Sequence, residues 1–135
     1  MSELMSPSWV AVPIENADGE LIASKPIRYD IFVLSLFKKE DTEKMLAHAT
    51  RGIADEAGEI NSCVKKHLDY KQELDLENLI EELGDMRFYM QAIQNLYGIS
   101  DTVILQANAK KLAKRYKNLE YTDEQAKFRR DKNEE

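Results

Sequence analysis

Cysteine is almost missing from this chain: Cys63 is the single one in 135 residues. One thiol closes no intramolecular disulfide and builds no cysteine-rich zinc site, and its rarity points to a reducing cytoplasm. Long apolar runs are missing too, none approaching the roughly 18 residues of a membrane span. The N-terminus carries no basic-then-apolar secretory signature. Proline is absent after Pro26, so all three prolines fall in the first 27 residues. No Asp-x-Asp-x-Asp-Gly loop suggests an EF-hand, and no Gly-rich Lys-Ser/Thr loop suggests a P-loop. Neither His48 nor His67 sits in a Glu-x-x-His arrangement, which argues against a ferritin-like di-iron centre. No internal repeat of about 20–50 residues is visible. Positive charge is in the minority, and the net charge of −6 makes the chain a poor nonspecific partner for DNA, RNA or anionic lipid.

What is present fits one folded domain, with 43% hydrophobic and 33% charged residues. Residues 1–27 read as an N-terminal segment apart. Trp9-Val10-Ala11-Val12 and Leu21-Ile22-Ala23 flank the turn signal Asp18-Gly19, giving either a small hairpin or an extended arm. From Tyr29 the pattern is helical. Ile31, Leu34 and Phe37, with Val33 beside them, predict a short amphipathic helix. Asp41-Thr42 caps a second helix to about Leu68, with the apolar stripe Ile53, Ala57, Ile60, Val64 and Leu68. Asp75 caps a third, whose stripe is Leu76, Leu79, Leu83, Met86, Met90, Ile93 and Tyr97, stopped by Gly98. Ser100 or Asp101 caps a fourth, running to about Asn118. Thr122 to Glu135 reads as a short charged helix or a disordered tail. The expected divisions are therefore 1–27, a helical catalytic domain at 28–119, and a tail at 120–135.

The chemistry lies in four carboxylates. Glu56-Ala57-Gly58-Glu59 and Glu82-Leu83-Gly84-Asp85 are two pairs at i, i+3, so each pair shares a helix face. At about 100° per residue, Glu56 lies roughly 70° from the centre of its apolar stripe and Glu59 about 130°. Gly52 and Cys63 adjoin them. Asn78, Glu82, Asp85 and Tyr89 form the matching stripe on the third helix. Gly58 and Gly84 each cost about 1 kcal/mol relative to alanine, which suggests close approach at both motifs. Four carboxylates brought together require a cation, and hard divalent ions with oxygen ligands, Mg²⁺ above all, suit them. On the fourth helix, Asn108, Lys111 and Arg115 share one stripe and form a phosphate grip, with Leu105, Ala109, Leu112 and Tyr116 anchoring the neighbouring face.

At these residues the chain resembles the MazG-like all-α nucleoside triphosphate pyrophosphohydrolases, including the short single-domain bacterial and phage forms. The signature E-x-x-E, spacer, E-x-x-D stands here as Glu56-x-x-Glu59 and Glu82-x-x-Asp85, with about 22 residues between, the length of a helical hairpin. The text Asp55-Glu56-Ala57-Gly58-Glu59-Ile60, Glu81-Glu82-Leu83-Gly84-Asp85 and Ala107-Asn108-Ala109-Lys110-Lys111-Leu112 through Arg115-Tyr116 carries it over about residues 29–131. Asp55, where many relatives have a small residue, and Lys117, where proline is frequent, depart from the pattern.

The resemblance implies an all-α bundle of four to five helices whose core four-helix unit is completed by dimerisation, as a homodimer or homotetramer. It implies that Glu56, Glu59, Glu82 and Asp85 hold two or three Mg²⁺ ions, with Mn²⁺ an acceptable substitute. The implied reaction is (d)NTP plus water to (d)NMP and diphosphate, by metal-activated water attack at the α-phosphorus, with Glu59 the favoured proton acceptor. Asn108, Lys111 and Arg115 would hold phosphate. Tyr29, Phe32, Phe37, Tyr89 and Tyr116 are the candidate substrate-pocket residues. The expected setting is the cytoplasm of a bacterial or phage-infected cell, with neither nucleic acid nor membrane as partner. The alternatives are the same fold acting on an alarmone or phosphoribosyl-ATP, or a non-enzymatic helical scaffold or regulator that binds a basic partner.

Overall fold

The computed structural model describes residues 8–133. Residues 1–7 of the expected arm and 134–135 of the expected tail lie outside the described residues. The chain forms two compact units, divided in sequence between Gly98 and Ile99.

The larger unit begins with a hairpin, β1 (Trp9–Glu15) antiparallel to β2 (Leu21–Arg28), pairing Trp9 with Arg28 and Ile14 with Ala23. Its turn is held by Asn16, whose Oδ1 accepts from the backbone N–H of Asp18 (3.0 Å) and of Glu20 (2.9 Å). Gly19 takes φ +80°, which a glycine adopts without strain. Helices dominate the rest, so the chain is all-α in class with one small sheet among the described residues.

Helix α1 (Tyr29–Leu36) follows β2 directly, and the Tyr29 N–H donates to the Ser8 carbonyl at 2.8 Å. The long helices α2 (Thr42–Leu68) and α3 (Leu76–Tyr97) form an antiparallel hairpin. Local chemistry sets their ends. Asp41 accepts from the Lys44 N–H and Asp75 from the Asn78 N–H, each at 3.0 Å. Gly98 closes α3 in the left-handed conformation at φ 64°.

The core sits where α1 packs on α3 and on the first half of α2. Val33, Phe37, Ala49 and Ala92 are buried, with Tyr29, Phe32, Met45, Phe88, Tyr89 and Ile93 packed around them. Asn95 joins α3 to α1 by donating to the Asp30 carbonyl at 3.0 Å. Val33 on α1 and Phe37 just past its end are buried, whereas Ile31 and Leu34 are exposed.

The expected apolar stripes need the larger correction. Buried positions on α2 are Ala49, Gly52 and Cys63, while Ala57 and Leu68 are exposed and Ile53, Ile60 and Val64 are half-buried. On α3, Leu76, Leu83 and Tyr97 are exposed. The reason is which faces meet. Gly52 abuts Tyr89, and the Cys63 Sγ–H donates to the Asp75 carbonyl at 3.6 Å. The two helices therefore pack through the glycine–carboxylate–cysteine face, and the most apolar stripe of α2 lies about 100° away from that contact.

The smaller unit holds α4 (Asp101–Arg115), a 3-10 turn (Lys117–Leu119), α5 (Asp123–Phe128) and α6 (Arg130–Asn133). Ser100 caps α4, its Oγ accepting from the Val103 N–H at 3.2 Å. The helix stops at Arg115, short of the expected Asn118, because Tyr116 already takes the extended conformation at φ −113°, ψ 108°. Leu105 and Ala109, expected as anchors, are exposed, and Leu112 and Tyr116 are half-buried.

Candidate metal centre and the adjoining cleft

Glu56 lies one helical turn beyond Gly52 on α2, and Asp85 one turn before Tyr89 on α3. The Gly52–Tyr89 contact therefore sets the register that brings the carboxylates together. A Cβ on residue 52 would stand 2.4 Å from the Tyr89 ring, so only glycine lets the helices close at this level. Carboxylate oxygens of Glu56, Glu82 and Asp85 lie within 4.8 Å of one another. Glu56 and Glu82 are half-buried and Asp85 is exposed.

The cluster is electrostatically strained. Burial, a hydrogen bond shared with Glu82 and the charges of Asp85, Glu82 and Glu59 push the Glu56 carboxyl above the usual carboxylate range. Three carboxylates on rigid helices, crowded enough to raise the pKa of one of them, match the donor set of a hard divalent ion. The residues fit such an ion.

Of the four carboxylates singled out in the sequence, three converge. Glu59 stands apart from that cluster and is exposed, though near enough for its charge to act on Glu56. Gly58 and Gly84 correct a second expectation. A Cβ at either would meet nothing within 4 Å among the described residues, so close approach belongs to Gly52 instead.

Beside the carboxylates an open cleft of about 640 Å³ runs along the first half of α2. It is lined by Lys38, Glu40, Glu43, Lys44, Ala47, His48, Arg51, Gly52, Asp55 and Tyr89. Its aromatic wall is tightly packed: the His48 ring lies 5.9 Å from that of Tyr89 and 4.8 Å from that of Phe37. Of the five aromatic pocket candidates only Tyr89 lines it. Phe37 is shut in the core, and Tyr29 and Phe32 pack on that core with their rings 6.1 Å apart. Burial raises the Tyr29 phenol above its ordinary pKa. The sequence reading named Gly52, Asp55 and His48 but did not join them with Lys44 and Arg51 into one cleft, although a signal was there. Lys44, His48, Arg51 and Asp55 recur at i, i+4, i+7 and i+11, one polar stripe that ends at Glu59.

The proposed phosphate grip lies in the smaller unit. Asn108 and Lys111 are exposed on α4. Arg115 is engaged: its Nε and terminal nitrogen donate to the two oxygens of Asp131 at 2.7 and 3.1 Å. That two-point pair raises the Arg115 guanidinium and holds the Asp131 carboxyl down to about 2. Tyr116 packs its ring on Tyr121, 5.5 Å between centroids. No helix among the described residues is long and apolar enough to cross a membrane.

Neither a curated protein nor a solved structure significantly matches the chain. The family model for the MazG nucleotide pyrophosphohydrolase domain matches residues 44–120, which takes in both carboxylate motifs, most of the cleft and all of α4. That match spans more than half of the sequence, its class of activity is nucleotide pyrophosphohydrolysis, and the chain belongs to the MazG nucleotide pyrophosphohydrolase family.

Proposed function

We propose that this protein is a Mg²⁺-dependent nucleoside triphosphate pyrophosphohydrolase, converting a (d)NTP and water to a (d)NMP and diphosphate. The observation that carries the reading is the convergence of Glu56, Glu82 and Asp85 within 4.8 Å inside a MazG domain. These three side chains would hold the ion, with Glu59 at the margin. A divalent ion there supplies charge neutralisation for the polyphosphate and a lower pKa for water. Glu59 is exposed and on the cleft-facing stripe of α2, a position suited to accept the proton of the attacking water. Cleavage between the α- and β-phosphates leaves the nucleoside joined to the α-phosphate. The cleft at Tyr89 begins one turn, about 6 Å, from the carboxylates, a reach that suits the nucleoside. Within the smaller unit taken by itself, Asn108 and Lys111 are exposed donors on α4 of the kind that grip phosphate, and Asp131 holds Arg115 on the same helix.

The chain would act as a homodimer or homotetramer. The apolar stripes of α2 and α3 that the α2–α3 contact leaves exposed or half-covered support this, since a second copy would complete a four-helix unit.

The decisive experiment is a nucleotide panel with Mg²⁺, identifying monophosphate and pyrophosphate as products. Glu59→Gln is expected to reduce kcat by about 10²-fold or more while leaving Mg²⁺-dependent nucleotide binding intact. No release of pyrophosphate from any NTP or dNTP by a Mg²⁺-binding protein would overturn the proposal.

A further inference from the structure

The cleft beside Tyr89 carries both signs of charge in balance: Lys38, Lys44 and Arg51 share it with Glu40, Glu43 and Asp55. An anionic polyphosphate tail would be repelled by the three carboxylates there, whereas a neutral polar ring carries no net charge for them to repel. Two of the cations already have partners, Lys38 with Glu40 at 3.4 Å and Lys44 with Asp41 at 3.6 Å. Arg51 and Asp55 differ. Both line the cleft and are exposed, and neither side chain has an ion pair or hydrogen bond among the described residues. They sit one turn apart on α2, with the cation N-terminal to the anion, the less favourable order for pairing with each other. Their heads are thus open to the cleft and free of any protein partner among the described residues.

A planar ring leaning on Tyr89 would meet a five-donor fork and an acceptor-only carboxylate, rooted about 5–6 Å apart. Guanine matches this pair on both sides. Its N1–H and 2-amino group are adjacent donors for the two carboxylate oxygens. Its O6 and N7 are adjacent acceptors for the guanidinium fork. Adenine offers one amino group flanked by ring acceptors, cytosine one amino group, and uracil or thymine one ring N–H. Each leaves part of the carboxylate or the fork unsatisfied, and unmatched polar groups are what a site discriminates against most strongly.

We propose that Arg51 and Asp55 make the cleft a guanine-reading site, so that the substrate class is guanine nucleoside triphosphates. This rests on the cleft being the nucleoside seat of the pyrophosphohydrolase reading. The test compares kcat/KM for GTP, dGTP, ITP, ATP, CTP and UTP in the wild type, Asp55→Asn and Arg51→Gln. The expected result is a GTP over ATP ratio of about tenfold or more, with ITP between them because it lacks the 2-amino group. Both substitutions are expected to bring the ratio to within about threefold. A wild type without guanine preference, or a preference that survives either substitution, overturns the proposal. Calorimetric binding of GMP and AMP to the same three proteins separates this inference from the activity. If no triphosphate is hydrolysed, the proposed reaction falls, while GMP preference lost in both variants still supports the reader and equal wild-type affinities still overturn it.

Discussion

Gly52 has no room for a side chain, and Gly58 and Gly84 have nothing but room. The Tyr89 ring approaches so near that a Cβ at position 52 would stand 2.4 Å from it. Gly52→Ala gains about 1 kcal/mol of helix propensity but must push a packed ring aside, at about 1–3 kcal/mol. A net loss of about 1 kcal/mol is expected from urea unfolding, with a raised KM as Tyr89 moves from the cleft wall. Gly58→Ala and Gly84→Ala, with nothing within 4 Å among the described residues, are expected to stabilise by about 1 kcal/mol each. A Gly52→Ala protein as stable as those two would remove the ring contact from the account. The carboxylate cluster carries its own prediction. Glu56 is held above the usual carboxylate range by burial and by its acidic neighbours. Glu56→Gln therefore relieves repulsion in the metal-free protein and is expected to raise its Tm at neutral pH. It also abolishes the thermal shift that Mg²⁺ gives the wild type. Differential scanning with and without Mg²⁺ checks both, and an undiminished Mg²⁺ shift in the variant would take Glu56 out of the ligand set.

At the scale of the element, an ion pair ties the C-terminal end of α4 to α6. The side chain of Asp131 is 3% exposed, and both its oxygens accept from Arg115. Its folded carboxyl lies at about 2, below the ordinary 3.8. A depressed carboxyl contributes stability that is complete above the unfolded value and is lost as pH falls through the folded one. The Tm difference between wild type and Asp131→Asn is expected to hold steady at neutral pH and shrink between about pH 4 and pH 2. A difference unchanged at the acid end would assign Asp131 a packing role instead. This pair also shows where the sequence stopped being readable. Caps are local, so Asp41, Asp75, Ser100 and Gly98 mark helix ends in the text as they do in space. The Arg115–Asp131 pair spans 16 residues and a left-handed turn at Asn118, and no periodic pattern encodes it. Three of the four motif carboxylates converge as their spacing suggested. Glu59 points about 60° from Glu56, and that difference matters only once the position of α3 is known. The apolar stripes were legible as patterns, but periodicity does not say what will cover them.

The whole molecule poses that question of cover. The buried hydrophobic core is small, comprising Val33, Phe37, Ala49, Cys63 and Ala92 among the described residues. Large apolar side chains lie outside it. Leu76, Ile80 and Leu83 recur at i, i+4 and i+7 on α3 and are 61%, 67% and 47% exposed. Leu68 at the end of α2 is 61% exposed. Scattered exposed leucines need no explanation, but a contiguous stripe on a long helix does. Because the α2–α3 contact runs through the glycine, carboxylate and cysteine face, this stripe would need another surface to bury it, and a second copy would offer the same stripe in return. A symmetric pairing would bury each stripe against its counterpart at about 25 cal/mol for every Å² of apolar area removed from water. The folded state would then be linked to association, so the wild-type Tm is expected to rise with protein concentration. Leu83→Glu places a charge in the middle of the stripe and is expected to yield monomers in sedimentation velocity, with a lower and concentration-independent Tm. Because Leu83 adjoins Glu82 in sequence, Leu76→Glu serves as the second variant: it lies nearly two turns from Glu82 and two and a half from Asp85. Monomers in both variants assign the face to self-association. A wild type that sediments as a monomer, with a Tm independent of concentration, would show that the stripe is not where copies of this chain meet.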